Sequence, residues 1–433
     1  MLSRLVWRQR IVFLLGALAV GLVSIAFAAA ADRCQELFAA AVGRFAWLPL
    51  VATPTLFLLS ALLAHACFPG SQGSGIPQAM AARQLRSRRE RRGLLSPRLA
   101  AGKIALTLLG LLAGGSVGRE GPTVQIGASM MLEAARIGRL REARGLILAG
   151  SAAGVAAAFN TPLAGIVFAI EEMSRSFEQR TSGLVLYAVI VAGLVSLGLL
   201  GNYSYFGDAA ATAASPRDWV LVVACGACGG LAGGLFSRAL LDGLRFVRRI
   251  AAQHVLARTL VVALGCGLVV ALIGMASGGA TFGTGYQPAR AAVEGAAPPA
   301  WFWLAKLAAT LATALSGIPG GIFAPSLAVG AGLGSALGGL FSGSPSLAAI
   351  VGMAGYFSGV VQAPITAFVI ILEMTRGDAA VLPLMVAAVL GYGVSRLVSP
   401  HSLYHGLAAD FVERARPEPA GGDAPAEAQL FSR

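Results

Sequence analysis

Gly114 to Gly127, GGSVGREGPTVQIG, returns as Gly317 to Gly330, GIPGGIFAPSLAVG, at an offset of 203 residues that sets Gly118 over Gly321, Pro122 over Pro325 and Gly127 over Gly330. The next stretch keeps the register: Gly150 to Glu171 lies over Gly352 to Glu373 at an offset of 202, matching Ala152 with Ala354, Pro162 with Pro364 and the two glutamates. One structural unit is therefore used twice. The expected division is a first half at 1–205 that includes the N-terminal helix, a second half at 206–410, and a disordered cytoplasmic tail at 411–433, where Pro, Ala and Glu dominate. Similarity alone does not say whether the copies run parallel or inverted, but an odd number of membrane crossings per half inverts them.

Working outward, the flanks are apolar almost throughout. Of 433 residues 56% are hydrophobic and only 12% charged, against roughly 25% charged in soluble domains, and the mean hydropathy is +0.74. This composition excludes a soluble globular protein and indicates an all-α multi-pass membrane protein. Many of the apolar segments are too short to span, and Gly (56) and Pro (20) interrupt them. Irregular backbone is tolerated at membrane depth only where protein or a water-filled cavity surrounds it, so tilted, broken helices around a central site are expected. Glycines four apart, Gly226/Gly230, Gly229/Gly233 and Gly334/Gly338, suit close helix packing.

The net charge of +13 reflects 33 Lys plus Arg against 20 Asp plus Glu, and much of it is local. Arg83 to Arg98, RQLRSRRERRGLLSPR, carries seven arginines and one glutamate, and Arg245, Arg248, Arg249 and Arg258 form a second cluster. Between apolar segments these mark cytoplasmic-side loops and helix ends, and no nucleic-acid partner is expected. Gly201 to Asp218 and Ser277 to Pro299 carry few charges and are placed outside. Arg4, Arg8 and Arg10 before the apolar run Ile11 to Ala31 imitate a secretory signal, but the run is long enough to be a retained span. Five cysteines at irregular spacing give no disulfide framework, and Cys225 and Cys228, in an apolar Gly-rich helix, read as packing residues. No cofactor and no metal site is expected. His401 and His405 stand four apart but lack an acidic third ligand, and are placed at the membrane interface.

Three short stretches share one design of glycines, a proline and almost no charge: Gly73-Ser74-Gly75-Ile76-Pro77, Gly118-Arg119-Glu120-Gly121-Pro122 and Gly321-Ile322-Phe323-Ala324-Pro325. Glycine leaves backbone N–H groups unshielded, and proline is preorganised for a first helical turn, so each stretch is expected to open a helix. Convergence of three helix N-termini makes an anion site without a buried full cation, which suits a monovalent, spherical halide better than a phosphate. Glu120 stands in one of these stretches, behind the apolar run Ile104 to Val117. An ionisable side chain at membrane depth marks function, although a carboxylate there also serves as a plain helix N-cap.

In these motifs the chain resembles the CLC family of chloride channels and proton/chloride antiporters. GSGIP, GREGP and GIFAP occur in the family's order, with Pro162 to Met173 (PLAGIVFAIEEM) and Gly352 to Thr375 between and beyond them, and the resemblance covers about residues 60 to 405. It implies a CLC-type inverted repeat of tilted, broken helices, a homodimer with one anion pathway per subunit, and a lipid bilayer as surroundings. The absence of the family's regulatory domains implies a prokaryotic protein of the cytoplasmic membrane. Residue by residue, the resemblance makes Ser74 and Tyr404 hydroxyl donors to the central anion, with the backbone amides of Ile322 and Phe323 completing the shell. Glu120 corresponds to a gating glutamate that competes with the anion, and Glu172 to an inner proton-transfer glutamate that marks the exchanger branch. The chain departs from the pattern before its Leu-Tyr pair, where Ser402 stands in place of the usual proline, so an interfacial belt tyrosine remains an alternative for Tyr404. Arg119 sets local geometry or an entrance field, and Glu171 is expected at the surface.

The function implied is secondary active exchange of chloride for protons, with a passive chloride channel as the alternative. A different class, an intramembrane serine hydrolase, is suggested by Gly114-Gly-Ser116-Val-Gly118, which satisfies GxSxG, but no strand precedes it. The chain is therefore read as a transporter and not an enzyme.

Overall fold

The computed structural model describes residues 4–140, 142–174, 179–201, 203–209, 211–251, 255–341 and 344–415. Among them helices dominate: α1 (Arg4–Arg44), α2 (Leu48–Ala66), α3 (Ile76–Gln84), α4 (Arg88–Leu94), α5 (Pro97–Leu112), α6 (Glu120–Gly138), α7 (Ala143–Phe159), α8 (Pro162–Phe168) continuing as a π-helical turn (Ala169–Ser174), and α9 (Gln179–Leu200). They continue with α10 (Pro216–Ala251), α11 (Val255–Ala276), α12 (Tyr286–Val293), α13 (Phe302–Leu315), α14 (Phe323–Phe341), α15 (Pro345–Val361), α16 (Pro364–Thr375), α17 (Val381–Val398) and α18 (Leu403–Ala415). Among the described residues eight helical stretches are long and apolar enough to cross a membrane. Others are not: at 1.5 Å per residue, the nine residues of α3 and eight of α12 reach less than half of a hydrocarbon core of about 30 Å.

The two copies are related by a local two-fold axis, and the hydrogen bonds show it. Gly118 and Gly321, equivalent residues, bond to each other in both directions, N–H of Gly118 to O of Gly321 at 2.6 Å and the reverse at 2.7 Å, as an antiparallel bridge. Two equivalent residues can pair reciprocally only across a local two-fold axis. The same axis recurs at the other matched segment. Glu373 accepts from the N–H groups of Leu163 (3.0 Å) and Ala164 (2.6 Å) at the start of α8, while Glu171 accepts from Ile365 (3.1 Å) and Thr366 (2.6 Å) at the start of α16. Glu171 therefore has a role at a helix start that its sequence neighbourhood did not show. Apart from α4, which has no counterpart, α1–α9 run in the same order as α10–α17. Asn160 and Gln362 end α7 and α15 in the same left-handed conformation, at φ 58° and 56°.

Every residue of α7 from Gly145 to Phe159 and of α15 from Leu347 to Val361 is buried. Helices apolar all round belong in the interior, and here they form the centre of each half. Their partners approach through glycine: a Cβ on Gly154 would come within 2.7 Å of the Thr123 carbonyl of α6, and one on Gly330 within 2.6 Å of Met353 on α15. The glycines four apart do the same, Gly229 and Gly233 facing Tyr356 on α15 and Gly226 facing α17. Cys225 and Cys228 are free thiols on α10.

One expectation is corrected at the C-terminus. Residues 411–415, assigned to a disordered tail, complete α18, whose Asp410 pairs with Arg248 of α10 at 2.6 Å. The rest of that expected tail, 416–433, lies outside the described residues.

Candidate anion and proton site

All three Gly-Pro stretches open helices: α3 begins at Ile76, α6 at Glu120 and α14 at Phe323. Short backbone pairings hold the three starts together. Gly73 donates to Ile318 O (3.3 Å) and accepts from Gly320 N–H (3.1 Å), tying the loop before α3 to the loop before α14, which Gly321 in turn ties to Gly118 before α6. The approach demands glycine. A side chain at Gly75, where φ is +105°, would meet Gly121 O at 2.6 Å, and one at Gly321 would meet Gly121 N at 3.0 Å.

Into this junction the structure brings Ser74, Glu120, Ile322, Phe323 and Tyr404, all buried. A Cβ on Gly121 would run into Ser74 Oγ, and one on Gly118 would run into Glu120 Oε2 with Ala324 N at 3.3 Å, so both polar groups lie directly against the converging N-termini. The Glu120 carboxylate faces the N–H groups of its own residue and of Ala324, yet neither oxygen makes an aligned hydrogen bond to protein. Ser74 Oγ and Tyr404 OH are close enough to interact, and neither has an aligned partner. Leaving a buried polar group unsatisfied costs about 1–3 kcal/mol, and four such atoms stand at this one junction. Tyr404 is in the protein interior on α18, not in an interfacial belt.

The cations nearby are committed elsewhere. Arg119 binds Ala28 O (2.6 Å) and Asp32 (2.5 Å) on α1 and lies 5.8 Å from the Tyr205 ring, which places it as a brace beside Glu120. Lys103 donates to Ser71 O (2.5 Å) and Gly73 O (2.8 Å), bracing the Ser74 loop from beneath. Its counterpart in the other half, Lys306, does the same for Thr281 O (2.9 Å) and Gly283 O (2.7 Å). Sequence reasoning missed both lysines, though their own offset of 203 carries the signal. With charges held by protein oxygens, peptide dipoles and two hydroxyls are what the junction presents to an anion.

Glu172 lies apart from Glu120, in the π-helical turn, with its side chain 3% exposed. Ser402 Oγ and His405 Nδ1 each stand 3.5 Å from its Oε1. Arg83 of α3 donates to Met173 O and, at 3.3 Å, to Ser174 Oγ, which puts this turn on the arginine-rich side of the molecule. His405, expected at the interface with His401, stands beside Glu172. On the same side a cavity of about 640 Å³ touches Pro69, Gly70 and Gln72, just before Ser74, as well as Arg89 and Arg414. Ser116, the residue of the hydrolase pattern, shares a hydrogen bond with Thr310 Oγ1 at 2.8 Å and sits between α5 and α6 without a strand.

Several known proteins share this architecture. The H(+)/Cl(-) exchange transporter ClcA of Yersinia pestis bv. Antiqua (strain Angola) is 34% identical over 421 residues, covering 90% of this chain and 84% of that transporter. The transporter of the same name from Citrobacter koseri is 33% identical over 415 residues, covering 90% and 85%. In fold, the chain matches the crystal structure of a slow cyanobacterial Cl-/H+ antiporter (TM-score 0.81, 24% identity, 94% of this chain and 98% of that one). It also matches a CLC-type fluoride/proton antiporter (TM-score 0.78, 25% identity, 90% and 97%). Residues 56–396 match the family model described as voltage gated chloride channel, and with these relatives the chain belongs to that family, the CLC proteins.

Proposed function

We propose that this protein exchanges chloride for protons across a membrane, with Glu120 as the group that both ions share. One observation carries the reading. A fully buried carboxylate stands without an aligned partner in a junction of peptide N–H groups, where its charge takes the place that a halide would take. The names of the relatives, H(+)/Cl(-) exchange transporters, support it. In this reading Ser74, Tyr404 and the amides of Ile322 and Phe323 hold the anion, and the two halves, 1–205 and 206–410, supply the helix starts from both sides of the two-fold axis.

The cycle needs only local steps. Ionised Glu120 occupies the outer part of the junction; a proton from outside neutralises it, and the carboxyl group leaves the anion path. Chloride then passes between the junction and the cavity beside Arg89 and Arg414. Glu120 returns, and its proton goes to Glu172 and on to the cytoplasm. The same reading places the protein as a homodimer in the bacterial inner membrane, with the arginine-rich side in the cytoplasm.

The test is coupled flux. Purified protein in liposomes, given a chloride gradient and no proton gradient, is expected to move protons uphill until the two gradients balance. Chloride flux with no proton movement would overturn exchange and leave a passive channel.

A further inference from the structure

We propose that His405 is the proton relay between the cytoplasmic solution and Glu172. This rests on Glu172 being the inner proton acceptor. A carboxylate whose side chain is 3% exposed exchanges protons poorly with bulk water by itself. His405, the residue after the anion-site Tyr404, is 23% exposed and presents Nδ1 to the same carboxylate oxygen. It spans the step from wet to dry.

The route has one intermediate atom. The direct distance from Nδ1 to Oε1, 3.5 Å, is long for a hydrogen bond, but Ser402 Oγ lies 3.3 Å from Nδ1 and 3.5 Å from Oε1. A small closing movement makes an imidazole–hydroxyl–carboxylate chain. Inward, Nε2 takes a proton from solution, Nδ1 releases its proton to Ser402 Oγ, and the hydroxyl passes its own proton to Glu172 Oε1. The imidazole is left neutral in the other tautomer and resets by exchange with water. Outward transfer is the reverse, and no other reactant is needed. Histidine suits the task because one ring carries a proton-donating and a proton-accepting nitrogen that exchange roles.

The buried Tyr404 on α18 itself lies within electrostatic reach of Glu172. Among the elements packed on α18, the π-helical turn contributes Glu172 itself, and α3 contributes Arg83, directed at Met173 O and Ser174 Oγ. Helix α10 contributes Arg248, paired with Asp410, and Asp242, which lies between Arg238 and Arg245. Helix α15 contributes only the buried Tyr356.

Parallel chloride and proton flux in liposomes tests this. His405→Gln, which keeps size and polarity but cannot shuttle protons, is expected to slow proton transport about tenfold more than chloride flux, below the 10²–10⁴-fold span of positioned acid–base groups because water partly substitutes. In His405→Ala, millimolar imidazole is expected to restore proton flux. An unchanged proton-to-chloride ratio in His405→Gln would overturn the relay, as would equal loss of both fluxes that imidazole does not rescue. Glu172→Gln separates the underlying reading: if it still drives protons uphill, Glu172 is not the acceptor, whatever His405 shows.

Discussion

At the scale of the residue, the proposed exchange makes position and protonation of Glu120 one variable, because the neighbouring Arg119 and the N–H donors around the carboxylate reward negative charge. Glu120→Gln keeps the shape and removes the charge. Proton transport is expected to fall to background while chloride still crosses at a rate that no longer responds to pH, read from paired chloride and pH electrodes; a parent-like pH response would place the gate on another residue. Gly118→Ala tests the same space from the opposite wall. Its methyl would collide with Glu120 Oε2, so the carboxylate is expected to be driven from the junction, raising chloride flux relative to proton flux. Overpacking of this kind costs about 1–3 kcal/mol, visible as a lower melting temperature in detergent. Ser74, Glu120, Ile322 and Phe323 were legible in the sequence because helix starts made of glycine and proline are local signals. His405 was not, since its partner Glu172 lies more than 200 positions away and no local pattern joins them.

At the scale of the element, the helix starts divide into two kinds. Those of α8 and α16 are sealed by carboxylates of the opposite half, Glu373 and Glu171, each accepting two backbone N–H groups. Those of α3, α6 and α14 are left to the junction. In the proposed reading these carboxylates neutralise dipoles that would otherwise attract anions away from the path, and one residue is used twice to do it. The repeat aligned these glutamates, but an offset does not reveal which helix a side chain will cap. Hydrogen bonds to charged groups contribute about 1.5–3 kcal/mol each, so Glu373→Ala is expected to lower the detergent melting temperature clearly while chloride and proton fluxes keep their ratio. Glu373→Gln is expected to cost less, because its amide oxygen still accepts one of the two bonds. A changed flux ratio in Glu373→Gln would place that residue in the ion path.

At the scale of the molecule, inversion makes a prediction that composition alone cannot. Equivalent loops of an inverted repeat lie on opposite faces of the membrane. The loop and short helix between α3 and α5 hold most of the arginines of Arg83 to Arg98, whereas the equivalent connection between α12 and α13, Glu294 to Trp301, has the sequence EGAAPPAW and no lysine or arginine. In the proposed orientation the charge asymmetry follows the inversion: the same structural turn is basic where it meets the cytoplasm and bare where it does not. Arg92 and Ala297 are exposed representatives of the two loops. In a background whose five cysteines are replaced by serine, Arg92→Cys is expected to react with a membrane-impermeant maleimide only in inside-out vesicles, and Ala297→Cys only in intact cells or right-side-out vesicles. Labelling of both from one face would contradict an inverted repeat, and labelling of each from the face opposite to that expected would keep the inversion but turn the whole molecule over, placing Glu172 and His405 outside.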